Sequence, residues 1–241
     1  MNPADFIPAT WLDDLPMSGS IGLGHDIATT TKGTANWSSL SICQHASPLY
    51  TYPLVIRWRT ADPEKNLAIL DHVVSQIERT GRRARRLSVD ASNEKYHAQR
   101  VRSFFAGRLP VELVVAGEKT DWRGESYDYK TLLGSLYSAA FEDNLIAMPE
   151  GKWLLDDHRL VKRERGTFVA EIGKDGGHGD TFDSGKLAYW ATQRPAVAAA
   201  GSVSAADVGS GAVSPGSKGG DHGGWRNPLA RLFDRGPSRM A

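Results

Sequence analysis

Three β-rich runs, at residues 18–27, 38–45 and 50–59, follow one another with only short polar or proline-marked connections. This opening constrains the fold more than any other feature, because adjacent strands joined so tightly pair antiparallel. Helices and strands then alternate. Leu67, Leu70, Val73, Val74 and Ile77 fall at helical spacing, and Gly81 stops that helix. Residues 85–90 read as a short strand through Leu87 and Val89 that ends in an acid. A second helix is expected over 94–105 with Ala98, Val101, Phe104 and Phe105 inward, then a buried strand over 111–115. The stripe Tyr129, Leu132, Leu133, Leu136, Tyr137, Ala140 and Phe141 predicts an amphipathic third helix. A short strand at 145–147, a charged segment around 157–163, a strand at 167–172, a turn at 173–177 and a last helix at 181–194 complete the pattern. The expected class is α/β, a mixed sheet flanked by helices.

The alternation ends at Arg194. Residues 195–224 hold Ala, Gly, Ser, Val, Pro and scattered charges without a Phe, Trp or Tyr. Such a stretch buries too little apolar surface to offset the entropy of ordering. It is expected to be a flexible linker, followed at 225–241 by a short basic-apolar tail containing Trp225, Arg226, Arg231, Leu232 and Phe233. The C-terminal tail is thus expected to be disordered, the folded domain to span 16–194, and 1–15 to form a lead-in. No run approaches the length of a membrane span, and the N-terminus lacks the basic start and apolar stretch of a secretory signal. A single cysteine, Cys43, excludes a disulfide framework and any multi-cysteine zinc site. These features point to a soluble protein of a reducing compartment, the cytoplasm, with no membrane partner. With 29 basic and 28 acidic side chains the net charge is +1, so a polyanionic partner would have to meet a local patch.

The chemistry is concentrated in a few acids. Asp26 ends the first strand, Asp90 closes the strand after the first helix, and Asp180 opens the last helix. If strands one and four are neighbours, Asp26 and Asp90 project from one sheet edge, and the last helix can bring Asp180 to them. Converging carboxylates are electrostatically costly without a cation, and oxygen donors suit Mg²⁺ or Mn²⁺. Two such ions can support phosphodiester hydrolysis. Asp183, one helical turn past Asp180, could complete the metal shell. Glu94 and His178 are auxiliary candidates. Each acid has a plainer reading: Asp180 as a helix cap, Asp90 as an Asx turn, Glu94 as a solvated first-turn acid. His25 is expected on the opposite face of its strand.

Basic residues that could meet DNA phosphates are Lys162, Arg163 and Arg165, leading into a turn at Gly166, with Lys130 and Lys186 near the third and last helices. No base-reading motif is present, so cleavage should tolerate any sequence. The stretch from Gly179 to Lys186 fails as a phosphate-binding loop: five residues separate its glycines, and Leu187 stands where Ser or Thr would hold Mg²⁺.

The element order is that of a ribonuclease H-like domain, an order other α/β sheets can share. Residues 15–22 (LPMSGSIG), 24–30 (GHDIATT), 89–95 (VDASNEK), 130–137 (KTLLGSLY) and 176–183 (GGHGDTFD) together resemble the nuclease half of phage large terminase subunits, the Mu-like group in particular. The resemblance implies a ribonuclease H-like fold and metal-dependent cutting of phage DNA during capsid filling in the host cytoplasm. By position it matches Asp26, Asp90 and Asp180 to the family's metal-binding acids, with Asp183 the alternative third ligand. It implies double-stranded DNA, an ATPase motor domain or chain, the portal and the small terminase subunit as partners. The ATPase half itself has no counterpart in the sequence. A non-catalytic docking module between motor, portal and DNA is the competing expectation, and a transposase- or resolvase-type enzyme a third.

Overall fold

β1 (Ser20–Asp26), β2 (Ser38–Ala46) and β3 (Leu49–Trp58) form the expected antiparallel meander in a computed structural model that describes residues 3–13, 15, 18–29 and 37–194. The linker and tail expected at 195–241 lie outside the described residues. α1 (Pro63–Arg79), capped by Asp62 accepting from the Glu64 N–H, carries the chain back to β4 (Ala84–Asp90), which lies parallel to β1. α2 (Lys95–Phe104) then leads to β5 (Val111–Val114), parallel to β4. Together with β8 (Ile146–Ala147) these strands make a sheet of order β5-β4-β1-β2-β3-β8 among the described residues. α3 (Tyr129–Glu142) and α5 (Asp180–Gln193) fall where the sequence predicts helices. No helix among the described residues is long and apolar enough to cross a membrane.

Three strands and one helix were not expected. β6 (Lys119–Trp122) and β7 (Glu125–Asp128) form a hairpin before α3, and α4 (Lys152–His158) occupies part of the supposed charged segment. β9 (Val161–Glu164) pairs with β10 (Thr167–Ala170) across a two-residue turn. At that turn Arg165 and Gly166 have φ of 49° and 83°, the paired positive values that match the twist of a two-residue hairpin. Phe104, expected inside, is 48 % exposed: α2 ends there, and Phe105 takes the inward place. The lead-in joins the core. Ile7, Trp11 and Leu15 sit in the main apolar cluster, and Trp11 Nε1 donates to Gln76 Oε1 on α1 at 2.9 Å.

The two faces of the sheet differ in kind, because side chains alternate along each strand. Ile21 and Leu23 of β1, Leu40 and Ile42 of β2, and Leu87 and Val89 of β4 pack with α1 and α2 in the large apolar cluster. The intervening residues are Gly22, Gly24 and Asp26; Ser39, Ser41 and Cys43; and Ser88 and Asp90. On this second face α5 lies nearly on the strand. A Cβ on Gly24 would stand 2.1 Å from the Ser184 carbonyl and 2.2 Å from the Ala188 nitrogen. Hydroxyls hold the helix there: Ser39 Oγ donates to the Asp180 carbonyl at 2.5 Å, Ser41 Oγ meets Ser184 Oγ at 2.8 Å, and Tyr52 donates to the Gly185 carbonyl at 3.0 Å.

Candidate active site

Asp26 and Asp90 share a sheet edge because β1 and β4 are parallel and in register, His25 beside Val89. Both acids end their strands on the α5 face. His25 lies on the other face, stacked on Trp58 with ring centroids 5.5 Å apart, as alternation requires. The exits from both strands are pinned. Ser38 Oγ bonds both the N–H and the carbonyl of Ala28 at 3.0 Å, and Asp90 Oδ1 accepts from the Ser92 N–H at 2.7 Å in an Asx turn. Asp90 therefore makes its local turn and still stands beside Asp26.

The close approach of α5 completes the cluster. Burial, then the negative charges of Asp183, Asp90 and Asp180 in that order, hold the Asp26 carboxyl well above the ordinary carboxylate range. Of the two acids on the last helix, Asp183 thus bears harder on Asp26 than Asp180 does. Asp180 is buried at the first turn of α5, behind the Gly179 cap position, and its Oδ2 accepts from the His178 N–H at 3.3 Å. Burial and the neighbouring Asp157 and Asp183 push Asp180 up to about 7, against the pull of that N–H. Lys186, one turn past Asp183, turns into the same cluster and pairs with Asp183 Oδ1. Burial works to lower its pKa, but the charges of Asp183, Asp90 and Asp26 outweigh burial and raise it. Lys186 is therefore an acid-paired base inside the cluster.

The scaffold carrying this cluster has counterparts among solved structures. The large terminase nuclease from thermophilic phage G20c superposes with a TM-score of 0.51 at 16 % identity over 73 % of this chain and 83 % of that one. The nuclease domain of the large terminase subunit of bacterial virus Sf6 gives 0.51 at 11 % over 79 % and 99 %, and a mutant of it solved with manganese and β-thujaplicinol gives 0.52 at 9 %. The human cytomegalovirus terminase nuclease domain gives 0.50 at 11 % over 77 % and 90 %. The fold is that of terminase nuclease domains. At these identities the likeness is one of fold; no protein-family model and no curated protein matches the sequence, and nothing singles out the Mu-like group.

Against that terminase-type frame, the remaining candidates sort by position. Glu94 is the cap residue of α2, and its Oε1 accepts from Thr29 Oγ1 at 2.5 Å and from the Thr29 N–H at 3.3 Å. It straps the exit of β1 to the start of α2 and is not a merely solvated acid. His178 contributes its backbone N–H to Asp180. Lys130 is exposed at the start of α3, where its N–H donates to the Ala116 carbonyl just beyond β5. Lys162, Arg163 and Arg165 are exposed on the β9–β10 hairpin, with Lys162 paired to Glu171. The open end of this hairpin abuts α5: a Cβ on Gly179 would meet Val161 Cγ2 at 2.3 Å. Sequence reasoning missed Asp157. This buried residue of α4 accepts from the Thr181 N–H at 2.8 Å and from Thr181 Oγ1 at 2.5 Å, fixing the first turn of α5. A buried aspartate on an unrecognised seven-residue helix left no periodic signal.

The donor set suits a divalent ion in chemistry and charge. Asp26, Asp90, Asp180 and Asp183 offer hard carboxylate oxygens, and Lys186 brings one positive charge against them. Among the described residues, no three His, Cys, Asp or Glu side chains stand at ion-holding spacing.

Proposed function

We propose that this chain is a Mg²⁺- or Mn²⁺-dependent DNA endonuclease of the large terminase type, cutting phage genomic DNA during packaging. The reading is supported by the parallel strand ends that put Asp26 beside Asp90, with Asp183 on α5 near enough for its charge to act on Asp26, in a fold shared with terminase nuclease domains. Asp26, Asp90 and Asp183, with Asp180 at the border of the cluster, would hold two ions. Lys186 neutralises only part of the negative charge gathered there, and the Mn-containing Sf6 domain is consistent with a cation supplying the rest. The chemistry such ions supply is activation of an attacking water and stabilisation of the departing 3′ oxygen. Asp26 and Asp90 set the site's position, since their strand ends are fixed by Ser38, Glu94 and the Asp90–Ser92 turn. Asp183 closes it from α5. Lys130 and the hairpin bases Lys162, Arg163 and Arg165 would neutralise phosphates without reading sequence. The packaging motor, portal and small terminase subunit are the proposed partners.

Incubating the full chain with supercoiled plasmid in Mn²⁺, and then with EDTA, tests this. Nicking should appear with the metal and stop with the chelator, and Asp26→Asn or Asp90→Asn should abolish it with the fold intact. Cutting by both variants at the wild-type rate refutes the reading. The alternative, a non-catalytic docking module, draws on the Lys186 ammonium standing among the acids without a closed ion-holding group. It requires that Mn²⁺ titration give no saturable binding.

A further inference from the structure

We propose that Arg57 and Arg59 are positioning residues that latch residues 173–179, the glycine-rich approach to α5, and thereby seat Asp183 against Asp26; this rests on the nuclease reading above. Arg57 lies in the last pleat of β3 and Arg59 just past its end, and both reach the same loop residue. Arg57 Nη1 pairs with Asp175 Oδ2 at 2.9 Å, and Arg59 Nη2 donates to the Asp175 carbonyl at 2.5 Å. Asp175 in turn organises the loop. Its Oδ1 accepts from the Gly177 N–H at 3.1 Å, and the turn is closed by Gly173 N–H to the Gly177 carbonyl at 2.8 Å and Gly176 N–H to the Gly173 carbonyl at 3.0 Å. Burial works to raise the Asp175 pKa, but the Gly177 N–H and Arg57 lower it below the ordinary carboxylate range.

The same guanidinium groups reach the residue that leads into β2, the strand paired with β1. The Arg59 guanidinium carbon lies 3.9 Å from the centre of the Trp37 ring, and that of Arg57 lies 4.6 Å from Trp37 and 5.0 Å from Trp153. Trp37 precedes Ser38, the residue that pins Ala28 just past Asp26. One pair of arginines therefore touches the lead into β2, whose Ser38 pins the exit of β1, and the loop that delivers Asp183. An exposed ion pair contributes little by itself. Here the Arg57 side chain is 19 % exposed and stacked on two indoles, so little freedom is lost in forming the pair. A latch is needed because Gly173, Gly176, Gly177 and Gly179 let the approach bend in many ways, whereas metal and phosphate chemistry punish a displacement of about 1 Å with roughly a hundredfold loss. Asp157 holds the first turn of α5 from the other side, so loosening the latch should displace the helix start without releasing it.

The test uses the full chain with Asp175→Asn, Arg59→Ala, Trp37→Ala and the ring-preserving Trp37→Phe. Hydrogen exchange over residues 173–183 should quicken about tenfold in the first three variants and stay unchanged in Trp37→Phe. Mn²⁺ binding, followed by the electron paramagnetic resonance signal of the free ion, should weaken about 10- to 100-fold, as for other residues that orient metal ligands. DNA affinity measured in Ca²⁺ should stay within about twofold. Unchanged exchange in 173–183 overturns the latch, whatever the enzyme's activity. Loss of DNA affinity with Mn²⁺ binding intact overturns it too, since the arginines would then be DNA contacts. If the wild type neither binds Mn²⁺ nor cuts DNA, the nuclease reading fails, while the exchange measurement still decides the latch.

Discussion

The two faces of one sheet do different work with different side chains. On the α1–α2 face, Ile21, Leu23, Leu40, Ile42, Leu87 and Val89 fill space, and the helices ride on a thick apolar layer. On the α5 face, Gly22, Gly24, Ser39, Ser41 and Ser88 leave almost no layer, and the helix backbone comes down onto the strand. A helix held at ordinary distance would carry Asp183 and Lys186 away from Asp26 and Asp90. Bulk on one face stabilises the sheet; its absence on the other lets three acids and a lysine gather at the strand ends. Stability and chemistry are thus divided between surfaces that alternate residue by residue along the same strands.

That contrast can be broken or sharpened by substitution. The largest effect on cutting is expected from Asp26→Asn or Asp90→Asn, which should lower plasmid nicking more than about a hundredfold, the loss of several kcal/mol of charge stabilisation, with little change in melting temperature. Next comes the acid on α5. Asp183→Asn should cost more Mn²⁺ affinity and more activity than Asp180→Asn, and the reverse order would make Asp180 the third ligand. Gly24→Ala should follow, since its new Cβ must push α5 away. The expected cost is about 1–3 kcal/mol in denaturant melts, with a loss of cutting that outlasts correction for unfolded protein. Arg165→Ala at the hairpin tip should weaken DNA binding only a few-fold and reduce the salt slope by about 1, leaving single-turnover rates at saturating DNA unchanged. Leu70→Ala, on the filled face, should destabilise by about 2–5 kcal/mol yet leave the cutting rate of the folded fraction alone.

Much of this was legible in the sequence. The meander, the alternation that follows it and the stripe of α3 are periodic signals, and Asp26 and Asp90 could be read as strand-end acids from their flanking Leu23 and Val89. Elements too short or too charged for periodicity were not legible. α4 is seven residues with three apolar neighbours beside paired aspartates, and in β6–β7 the charged Lys119, Asp121, Arg123 and Glu125 alternate with too few apolar residues to mark a buried stripe. Phe104 and Phe105 are adjacent, and helical spacing alone could not say that only one faces in. The contacts of Lys186 and Glu94 were not legible for another reason. Their partners, Asp183 with Asp90 and Asp26, and Thr29, include residues far away in the chain, and only the packing of α5 and α2 reveals them. The meaning of Gly24 likewise depends on a helix more than a hundred residues later.

The most direct test is a structure of the full chain in millimolar Mn²⁺ with anomalous data at the manganese edge. The account predicts manganese density touching Asp26, Asp90 and Asp183 at the edge of the sheet, with the Lys186 ammonium displaced from its present pairing. Manganese bound elsewhere on the molecule, or a cluster that stays closed around Lys186 at saturating metal, would contradict it.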